Sequence, residues 1–358
     1  MSLSRENNFD LIRLIAALQV MVYHSLTHFQ VQANWAEPLK QVVYLLPGVP
    51  IFFTISGFLI YQSLERNRHG LKKYFVNRFL RLYPALWACL AFTILLITLS
   101  GHLNWEVIFT QRFLLWFTAQ LSFFQFYPLE DFRTWGVGHP NGSLWSISVE
   151  IQFYLLLPVL FYLLFDKKYA LRTKNIVLFI LMAISIAFNY YQQQMVAEHK
   201  TIGSLMGVFI LHYLYFFCSG IILYLNFERL KKFLVGKGWI WIGLFILYTV
   251  IFHNWLNYFE NVYETSLAGI IGESLLAIAT ISAAYSKISL SSKILSGNDL
   301  SYGIYIYHMP VINYFYTQTK YITPLKFVSI LAAIVVIAFF SWRIIEKNVL
   351  KLKTKINL

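Results

Sequence analysis

The sequence predicts an all-α integral membrane protein with about ten transmembrane helices, from its composition, its apolar runs and its charge placement. Of the 358 residues, 58% are hydrophobic and only 13% are charged. The apolar residues form repeated runs of roughly 18 or more, the length that a helix needs to cross a bilayer. A β-barrel would show short alternating segments, and these runs do not alternate. Since the connections are short, we expect residues 1–358 to form a single transmembrane domain without a substantial soluble part.

Apolar runs predict the individual spans. In chain order the predicted spans are 9–29, 43–63, 83–100, 143–165, 175–192, 204–226, 238–255, 265–285, 300–318 and 325–343. The stretch 104–127 is also apolar and aromatic, but glutamate, glutamine and arginine interrupt it. We therefore expect an interfacial or re-entrant segment there rather than a further span.

Lysine and arginine placement predicts the orientation. With ten spans and a cytoplasmic N-terminus, all the basic clusters lie on the cytoplasmic side, as the positive-inside rule requires. These clusters are 66–81, 167–174, 229–237, 287–293 and the tail after 343. Both termini are therefore expected in the cytoplasm, and the protein in the inner (cytoplasmic) membrane. The net charge of +13 is mostly a topology signal, so we expect no nucleic-acid partner.

The first span, FDLIRLIAALQVMVYHSLT, contains two polar residues that share one helical face. Arg13 and His24 are eleven residues apart, about three turns or roughly 16 Å along the axis. Polar groups retained in lipid usually line a cavity, which indicates a site. Alternatively, Arg13 extends to the headgroups and His24 bonds a neighbouring helix. A cleaved signal peptide is a third interpretation, and the arginine inside the apolar region argues against it.

The second informative stretch, 48–84, combines a small-residue pair with a basic loop. Ser56 and Gly57 in mid-span allow close approach between helices. The loop before the next predicted helix contains Lys72, Lys73, Arg78 and Arg81. Arg78 and Arg81 share a face at i and i+3, and guanidinium groups match phosphate oxygens in bidentate fashion. Membrane orientation and contact with anionic lipid explain the same cluster equally well.

The third stretch, NGSLWSISVEIQFYLLLP, enters the membrane from the predicted outer side. Glu150 lies about two turns into this helix, with Ser146 four residues earlier on the same face. By rise per residue, Glu150 and His24 each lie within about 10 Å of the outer boundary. A carboxylate beside an imidazole suits a general base, because it holds one tautomer and raises the basicity of the ring. A polar contact between helices without chemistry is the alternative.

Other polar and aromatic residues have weaker signals. His308, in LSYGIYIYHMPV, is expected near mid-membrane, whereas no spacing argument assigns a role to Glu273 or His212. Cys89 and Cys218 both lie in predicted spans and indicate neither a disulfide framework nor a metal site. The outer segment 104–142 is rich in aromatic side chains suited to stacking on sugar rings, although membrane interfaces also collect Trp and Tyr. Its members are Trp105, Trp116, Tyr127, Trp135 and His139.

Five ordered motifs resemble the acyltransferase 3 family. They are Arg13-x10-His24, FFTISGF, the basic segment ending RFLRLYPA, SLWSISVEIQFYLLLP and SYGIYIYHMPV, and together they span residues 8 to 346. The resemblance implies a membrane-bound O-acyltransferase that modifies bacterial surface polysaccharides. It further implies an acyl-CoA donor bound from the cytoplasm and a sugar hydroxyl as acceptor.

The family's motif residues transfer to this chain position by position. The matching residues are Arg13 and His24 in the first helix, Arg78 and Arg81 in the basic segment, and Trp145, Ser146 and Glu150 in the third stretch. Pro50 stands where the family has an aspartate or similar polar residue before the FF pair. Some members continue into an extracytoplasmic hydrolase-like domain, which we do not expect here. Transfer would then be direct or would need a separate partner transferase or polysaccharide assembly protein.

The resemblance and the residues together give a mechanistic hypothesis. Acetyl-CoA, or a similar short acyl donor, is expected to place its phosphates on basic residues, and those residues are Arg13, Lys72, Lys73, Arg78 and Arg81. His24 then deprotonates the sugar hydroxyl or accepts the acyl group itself, with Glu150 orienting its ring. The acceptor is expected to contact Trp145, Ser146 and His308, and no metal is expected.

Two other function classes remain open. A transporter or flippase of a glycan precursor also needs polar intramembrane residues and a basic inner face, but the sequence shows no internal repeat or pair of Gly/Pro-broken helices. A non-catalytic subunit of a polysaccharide assembly complex would tolerate apolar residues at positions 24 and 150. In every case the expected partners are membrane lipid and a polysaccharide or lipid-linked glycan.

Overall fold

The structure is a computed structural model that describes residues 6–31, 34–66, 70–164, 169–256 and 266–355. Described elements are almost all helical, with one pair of two-residue strands, β1 and β2. In chain order they are α1 (Phe9–Thr27), β1 (Gln30–Val31), α2 (Glu37–Tyr44), α3 (Gly48–Arg66), α4 (Leu71–Leu99), α5 (Trp105–Ile108), α6 (Gln111–Leu121), α7 (Trp145–Leu164), α8 (Leu171–Glu198), α9 (Lys200–Met206), α10 (Leu214–Leu225), α11 (Phe227–Leu234), α12 (Gly238–Thr249), α13 (Leu267–Ala284), α14 (Leu290–Leu295), α15 (Ser301–Gln318), β2 (Tyr321–Ile322), α16 (Pro324–Ser341) and α17 (Lys347–Lys355).

The predicted class, an all-α multi-pass membrane protein, is confirmed. Within the described residues, seven helical segments are long and apolar enough to cross a membrane. They are Phe9–Thr27, Glu37–Arg66, Leu71–Leu99, Gly142–Leu163, Leu171–Glu198, Leu267–Ala284 and Pro324–Leu352. An eighth is added if Phe227–Leu234 and Gly238–His253, which meet at an 82° bend, form one broken span. The count of ten and the side of the termini stay predictions.

Two predicted spans differ from the observed helices for identifiable reasons. The predicted span 204–226 is broken, and its apolar part, α10, has 12 residues, or about 18 Å, too short for a bilayer core of about 30 Å. Helix α15 has 18 residues, but its tyrosines, His308 and Asn313 make it too polar for a lipid-facing span. Most of its residues are buried by protein instead.

The basic segment is helical, and the prediction of a loop before a helix starting near 83 is wrong. Helix α4 begins at Leu71 and continues through Pro84 to Leu99. Pro84 removes one backbone donor, but an apolar helix in a membrane tolerates this where neighbouring groups replace the bond. Lys72, Lys73, Arg78 and Arg81 therefore occupy the first turns of α4. In contrast, 104–127 forms only the short helices α5 and α6, as expected of a segment that does not span.

Residue contacts divide the chain into two compact units. The first unit contains Met1–Arg13, Pro47–Leu71 and Val149–Gly297. The second unit contains Leu14–Leu46, Lys72–Ser148 and Asn298–Leu358. Each unit is described by itself below.

In the first unit, α3 and α10 pack at backbone contact. A Cβ atom added to Gly57 would lie 2.1 Å from the carbonyl oxygen of Phe217, and one added to Gly220 would lie 2.1 Å from that of Thr54. The close approach predicted at Ser56-Gly57 is therefore confirmed, and only glycine fits at these crossings. The ring of Phe217 also stacks on those of Phe53 and Phe153, with centroids 4.8 and 3.9 Å away.

In the second unit, α15 packs against α16, and parallel strands β1 and β2 pair just beyond α1. A separate aromatic core lies between the C-terminal half of α4, helix α6 and the segment after it. Trp116, Phe132 and Trp135 are its largest members, and each is at most 2% exposed. This core gives the segment 104–142, expected at the outer surface, a rigid framework.

Candidate functional site

Three imidazole rings form a stack in the second unit, and His24 is the middle ring. His24 lies in the last turn of α1, and the next helical position on that face is His28. Nδ1 of His24 lies 3.1 Å from Nε2 of His28, and the two rings are parallel within 6°. Since one nitrogen must donate and the other accept, this hydrogen bond links the tautomers of the two residues.

His308, from α15, covers the other side of the His24 ring. The ring centroids are 5.3 Å apart with an interplanar angle of 20°. His308 is completely buried, and its Nδ1–H donates to the carbonyl oxygen of Tyr305 at 2.6 Å. Its Nε2 then carries a lone pair and has no hydrogen-bond partner within the described residues. We call His28, His24 and His308 the imidazole stack.

Within the described residues of the second unit, Nε2 of His24 also has no hydrogen-bond partner. When Nδ1–H of His24 donates to His28, Nε2 carries the lone pair of a general base or nucleophile. In the described part of the chain, no group of three or more His, Cys, Asp or Glu side chains is placed to hold a metal ion.

The Ser146 side chain hydrogen-bonds to α15, the helix that bears His308. Its hydroxyl lies 2.5 Å from that of Tyr305, and both hydroxyl groups lie 3.2 Å from the carbonyl oxygen of Ser143. The structure thus links Ser146 and His308, two predicted acceptor contacts, through Tyr305. Trp145, the third, is partly buried at the first position of α7.

Glu150 lies in the first unit, held by two hydroxyl groups. Its Oε1 accepts hydrogen bonds from Ser56 at 2.9 Å and from Tyr154 at 2.6 Å. Tyr154 is one turn further along α7, so it orients the carboxylate from the same helix. Because His24 belongs to the second unit, the predicted pairing of Glu150 with His24 stays a prediction.

Arg78 and Arg81 lie on α4 in the second unit, and Arg81 is already paired. Its guanidinium forms an ion pair with Asp299, whose side chain is 12% exposed. Asp299 also accepts from the backbone N–H of Ser301 at 3.1 Å, at the start of α15. The Arg78 guanidinium lies 5.9 Å from the ring centre of Tyr74.

The remaining predicted basic residues have different surroundings. Lys72 and Lys73 are exposed on the first turn of α4. Arg13 lies in the first unit, where its guanidinium is 3.5 Å from Asp10. The structure therefore brings Lys72, Lys73, Arg78 and Arg81 onto one helix, and describes Arg13 in the other unit.

Sequence reasoning missed four residues that contact predicted site residues within the two units. His28 and Tyr154 stand four residues after His24 and Glu150, a spacing that identifies both as helical neighbours. No local sequence pattern predicts that Asp299 pairs with Arg81 or that the Ser56 hydroxyl group donates to Glu150, because these partners lie 218 and 94 residues apart in the chain. Of the residues left without a role, His212 accepts from the Asn189 amide at 3.1 Å beside the broken span, while Glu273 is buried in the first unit.

The fold and these side chains define a multi-pass membrane protein with a histidine at a position suited to proton or group transfer. A family model fits the chain from residue 6 to residue 343, and its description is an acyltransferase domain. The protein belongs to the acyltransferase 3 family.

Curated relatives agree with this assignment. Nodulation protein 10 of Rhizobium leguminosarum bv. viciae is 29% identical over 99% of this chain and 96% of its own length. The peptidoglycan O-acetyltransferase OatA of Listeria monocytogenes is 27% identical over 96% of this chain, and the O-acetyltransferase OatA of Staphylococcus aureus is 26% identical over the same share. This chain spans only 56% and 57% of those two proteins. No solved structure matches the chain.

Proposed function

We propose that this protein is an inner-membrane O-acyltransferase that moves an acetyl or similarly short acyl group from acyl-CoA to a hydroxyl group of a polysaccharide or its lipid-linked precursor. The observation that carries this proposal is the imidazole stack, in which His24 is held on both faces and keeps Nε2 open. Membership of an acyltransferase family and relatives named O-acetyltransferases support the reaction type. A separate partner transferase or polysaccharide assembly protein is also part of the proposal.

His24 is the proposed base. Nε2 removes the proton from the acceptor hydroxyl while the hydroxyl oxygen attacks the thioester carbonyl carbon. The carbon–sulfur bond then breaks, and the proton held on Nε2 passes to the departing thiolate. His28 stabilises the charged ring through the hydrogen bond at Nδ1.

A two-step route uses the same atom. Nε2 of His24 attacks the thioester carbonyl carbon, the carbon–sulfur bond breaks, and the thiolate leaves while Nε2 carries the acyl group. The acceptor hydroxyl oxygen then attacks the acyl carbon, its proton passes to the thiolate, and the carbon–nitrogen bond breaks to restore Nε2. Both routes need an unprotonated Nε2, so both depend on the tautomer that His28 favours.

Glu150 is proposed to orient and charge-stabilise His24, as the carboxylate does in other triads. By rise per residue, Glu150 and His24 are predicted at similar depths, each within about 10 Å of the outer membrane boundary, which supports this role. The hydroxyl groups of Ser56 and Tyr154 occupy Oε1 and hold the carboxylate in one orientation, which suits a positioning group.

Acyl-CoA phosphates are proposed to bind the basic residues, which are Arg13, Lys72, Lys73, Arg78 and Arg81. Arg81 can contribute while still paired with Asp299, since a guanidinium has five donors and a carboxylate uses at most a few of them. The acceptor is proposed to contact Trp145, Ser146 and His308.

The test is transfer of a labelled acetyl group by the intact protein in nanodiscs, together with proton NMR of polysaccharide from complemented deletion cells. We expect His24→Ala to lower transfer about 10²- to 10⁴-fold, the usual contribution of a general base. His199→Ala, which removes an exposed histidine at the end of α8, is the matched control and should retain transfer. Full activity of His24→Ala would contradict the proposal. A change in polymer amount without any change in acylation would favour the transporter.

A further inference from the structure

A pocket in the second unit lies between α6 and the segment that follows it. It has a cavity volume of about 40 Å³ and is open at its mouth, which is room for a hydroxyl group or a few water molecules but not for a whole sugar ring. The side chains that matter for recognition are Trp116, Gln120, Gln125, Tyr127, His139 and Asn141. We call this site the aromatic pocket.

Rings form two sides of the aromatic pocket, and they differ in exposure. Trp116 is only 2% exposed and packs edge-on against Phe132, with centroids 5.1 Å apart, so it is a rigid wall. Tyr127 is 43% exposed, and its hydroxyl has no hydrogen-bond partner within the described residues. One ring is therefore fixed and the other is available for stacking on a ligand.

An oriented amide provides the polar part of the pocket. The Gln120 side chain donates to the carbonyl oxygens of Gln125 and Tyr127 at 3.2 and 3.3 Å. Both bonds use its nitrogen, which leaves Oε1 as an acceptor without a partner among the described residues. Gln120 is 6% exposed, so this acceptor is held in place before any ligand arrives.

The chemistry of the pocket favours a sugar over the other ligands of a membrane acyltransferase. The flat apolar faces of a pyranose ring stack on aromatic side chains, while its hydroxyl groups need fixed acceptors such as Oε1 of Gln120. A phosphate would need a cation, but the residues that line the pocket include no lysine or arginine. A ring that only anchors the protein in the interface would face outward, whereas Trp116 is buried.

The wall of the pocket is attached to the helix that bears His308. Asn141 donates to the carbonyl oxygen of Ile306 at 2.8 Å, and Asn313 donates to that of His139 at 2.7 Å. Along α15 these anchors lie about 3 Å before and about 8 Å after His308. His308 stacks on His24, so the pocket is fixed to the same helix as the imidazole stack.

We infer that the aromatic pocket and the exposed Tyr127 ring at its mouth form the acceptor subsite, which binds a pyranose ring of the glycan chain that receives the acyl group. Tyr127 stacks on the ring face at the mouth, and Oε1 of Gln120 accepts from a ring hydroxyl group that enters the pocket beside Trp116. This inference rests on the proposed function, because the bound sugar is an acceptor only if the protein transfers an acyl group to it. Sugar binding itself requires no acyl donor.

The test measures sugar binding without catalysis. The intact protein in nanodiscs is titrated with chitotetraose, cellotetraose and maltotetraose, and binding is followed by saturation-transfer NMR and tryptophan fluorescence. We expect at least one oligosaccharide to bind. Tyr127→Ala and Gln120→Leu should each weaken that binding at least tenfold, while Tyr127→Phe, which keeps the ring, should weaken it less than threefold.

Trp105→Ala is the matched control, because Trp105 is an exposed ring of the same segment that does not line the pocket. It should bind like the unaltered protein. Failure of all three oligosaccharides to bind, or equal binding by Tyr127→Ala and Trp105→Ala, overturns the acceptor subsite. If the protein binds sugar but transfers no acetyl group, the sugar-binding site stands and the proposed reaction is refuted. Failure of the inference and failure of the proposed function are therefore distinguishable.

Discussion

At the residue scale, the bond between His24 and His28 makes His28 a positioning residue for the proposed base. His28→Leu should lower kcat for acetyl transfer about 5-fold, because leaving this partly buried donor without a partner costs about 1 kcal/mol, the lower end of the cost for a buried donor. His28→Gln offers an amide oxygen to the same donor and should retain most of kcat. Steady-state kinetics with acetyl-CoA as the varied substrate checks both, with KM expected to stay unchanged. Equal losses in the two variants would remove the positioning role.

His139, at the rim of the aromatic pocket and outside the membrane-spanning segments, should be neutral at pH 7. Partial burial, and then the nearby Arg133 guanidinium, lower the pKa of His139 below its usual value of 6.5. Because the folded-state pKa is the lower one, the stabilising effect is complete above about pH 6.5 and is lost as the pH falls through the folded pKa. NMR titration of ¹³C-labelled histidine, with His139→Gln to assign the signal, checks the direction.

Arg133→Gln provides the companion measurement. This change removes the Arg133 guanidinium, which lowers the pKa of His139, and leaves the burial of the ring unchanged. The midpoint of the His139 titration should therefore rise toward the usual value of 6.5. An unchanged midpoint would assign the whole shift to burial.

At the element scale, the contact between α3 and α10 depends on glycine. Gly57→Ala places a methyl group against the Phe217 carbonyl oxygen, where there is no room for it. Overpacking of this kind costs about 1–3 kcal/mol. Thermal unfolding in detergent should therefore show a clear loss of stability.

Gly243→Ala is the matched control for that experiment. Gly243 lies in α12, and an added Cβ meets nothing within 4 Å. Since alanine is a better helix former than glycine by about 0.5–1 kcal/mol, this change should be neutral or slightly stabilising. If Gly57→Ala behaved like Gly243→Ala, the close packing would be refuted.

The ion pair of Arg81 with Asp299 joins α4 to the start of α15. Breaking a buried pair costs about 3–5 kcal/mol, and we expect the lower end here because both side chains are partly exposed. Asp299→Asn should lower the unfolding temperature without raising KM for acetyl-CoA, since it leaves the guanidinium in place. Arg81→Met should lower stability and also raise that KM. If KM responds to neither change, Arg81 has a purely structural role.

At the scale of the whole molecule, the charge pattern predicts the side on which each connection lies. Cys89 and Cys218 are buried, so an introduced cysteine can be labelled with little background. An impermeant maleimide added to intact spheroplasts should label Lys320→Cys, before α16, and should label Lys351→Cys, in α17, only after permeabilisation. The reverse pattern would invert the proposed orientation. Labelling of both from outside would show that α16 does not cross the membrane.

Long-range packing explains why the sequence prediction was partial. Run length and charge are local properties, and they correctly identified the membrane class, the first helix and 104–127 as a segment without a full span. The break within 204–226 escaped prediction because a buried polar cluster around Asn189 and His212 stabilises it. The sequence predicts a span at 300–318, but it does not show that protein, rather than lipid, surrounds the histidine and most tyrosines of α15.

The sequence by itself determined the all-α membrane class, the acyltransferase family and the candidates His24, Glu150, Arg78 and Arg81, because helix periodicity and motif order are written along the chain. Only the tertiary structure decided which groups meet them. His308 reaches His24 across 284 residues, Asp299 reaches Arg81 across 218 residues, and Asn313 holds the wall of the aromatic pocket. Such contacts depend on how helices pack, and helix packing is a property of shape complementarity between distant segments that no local pattern encodes.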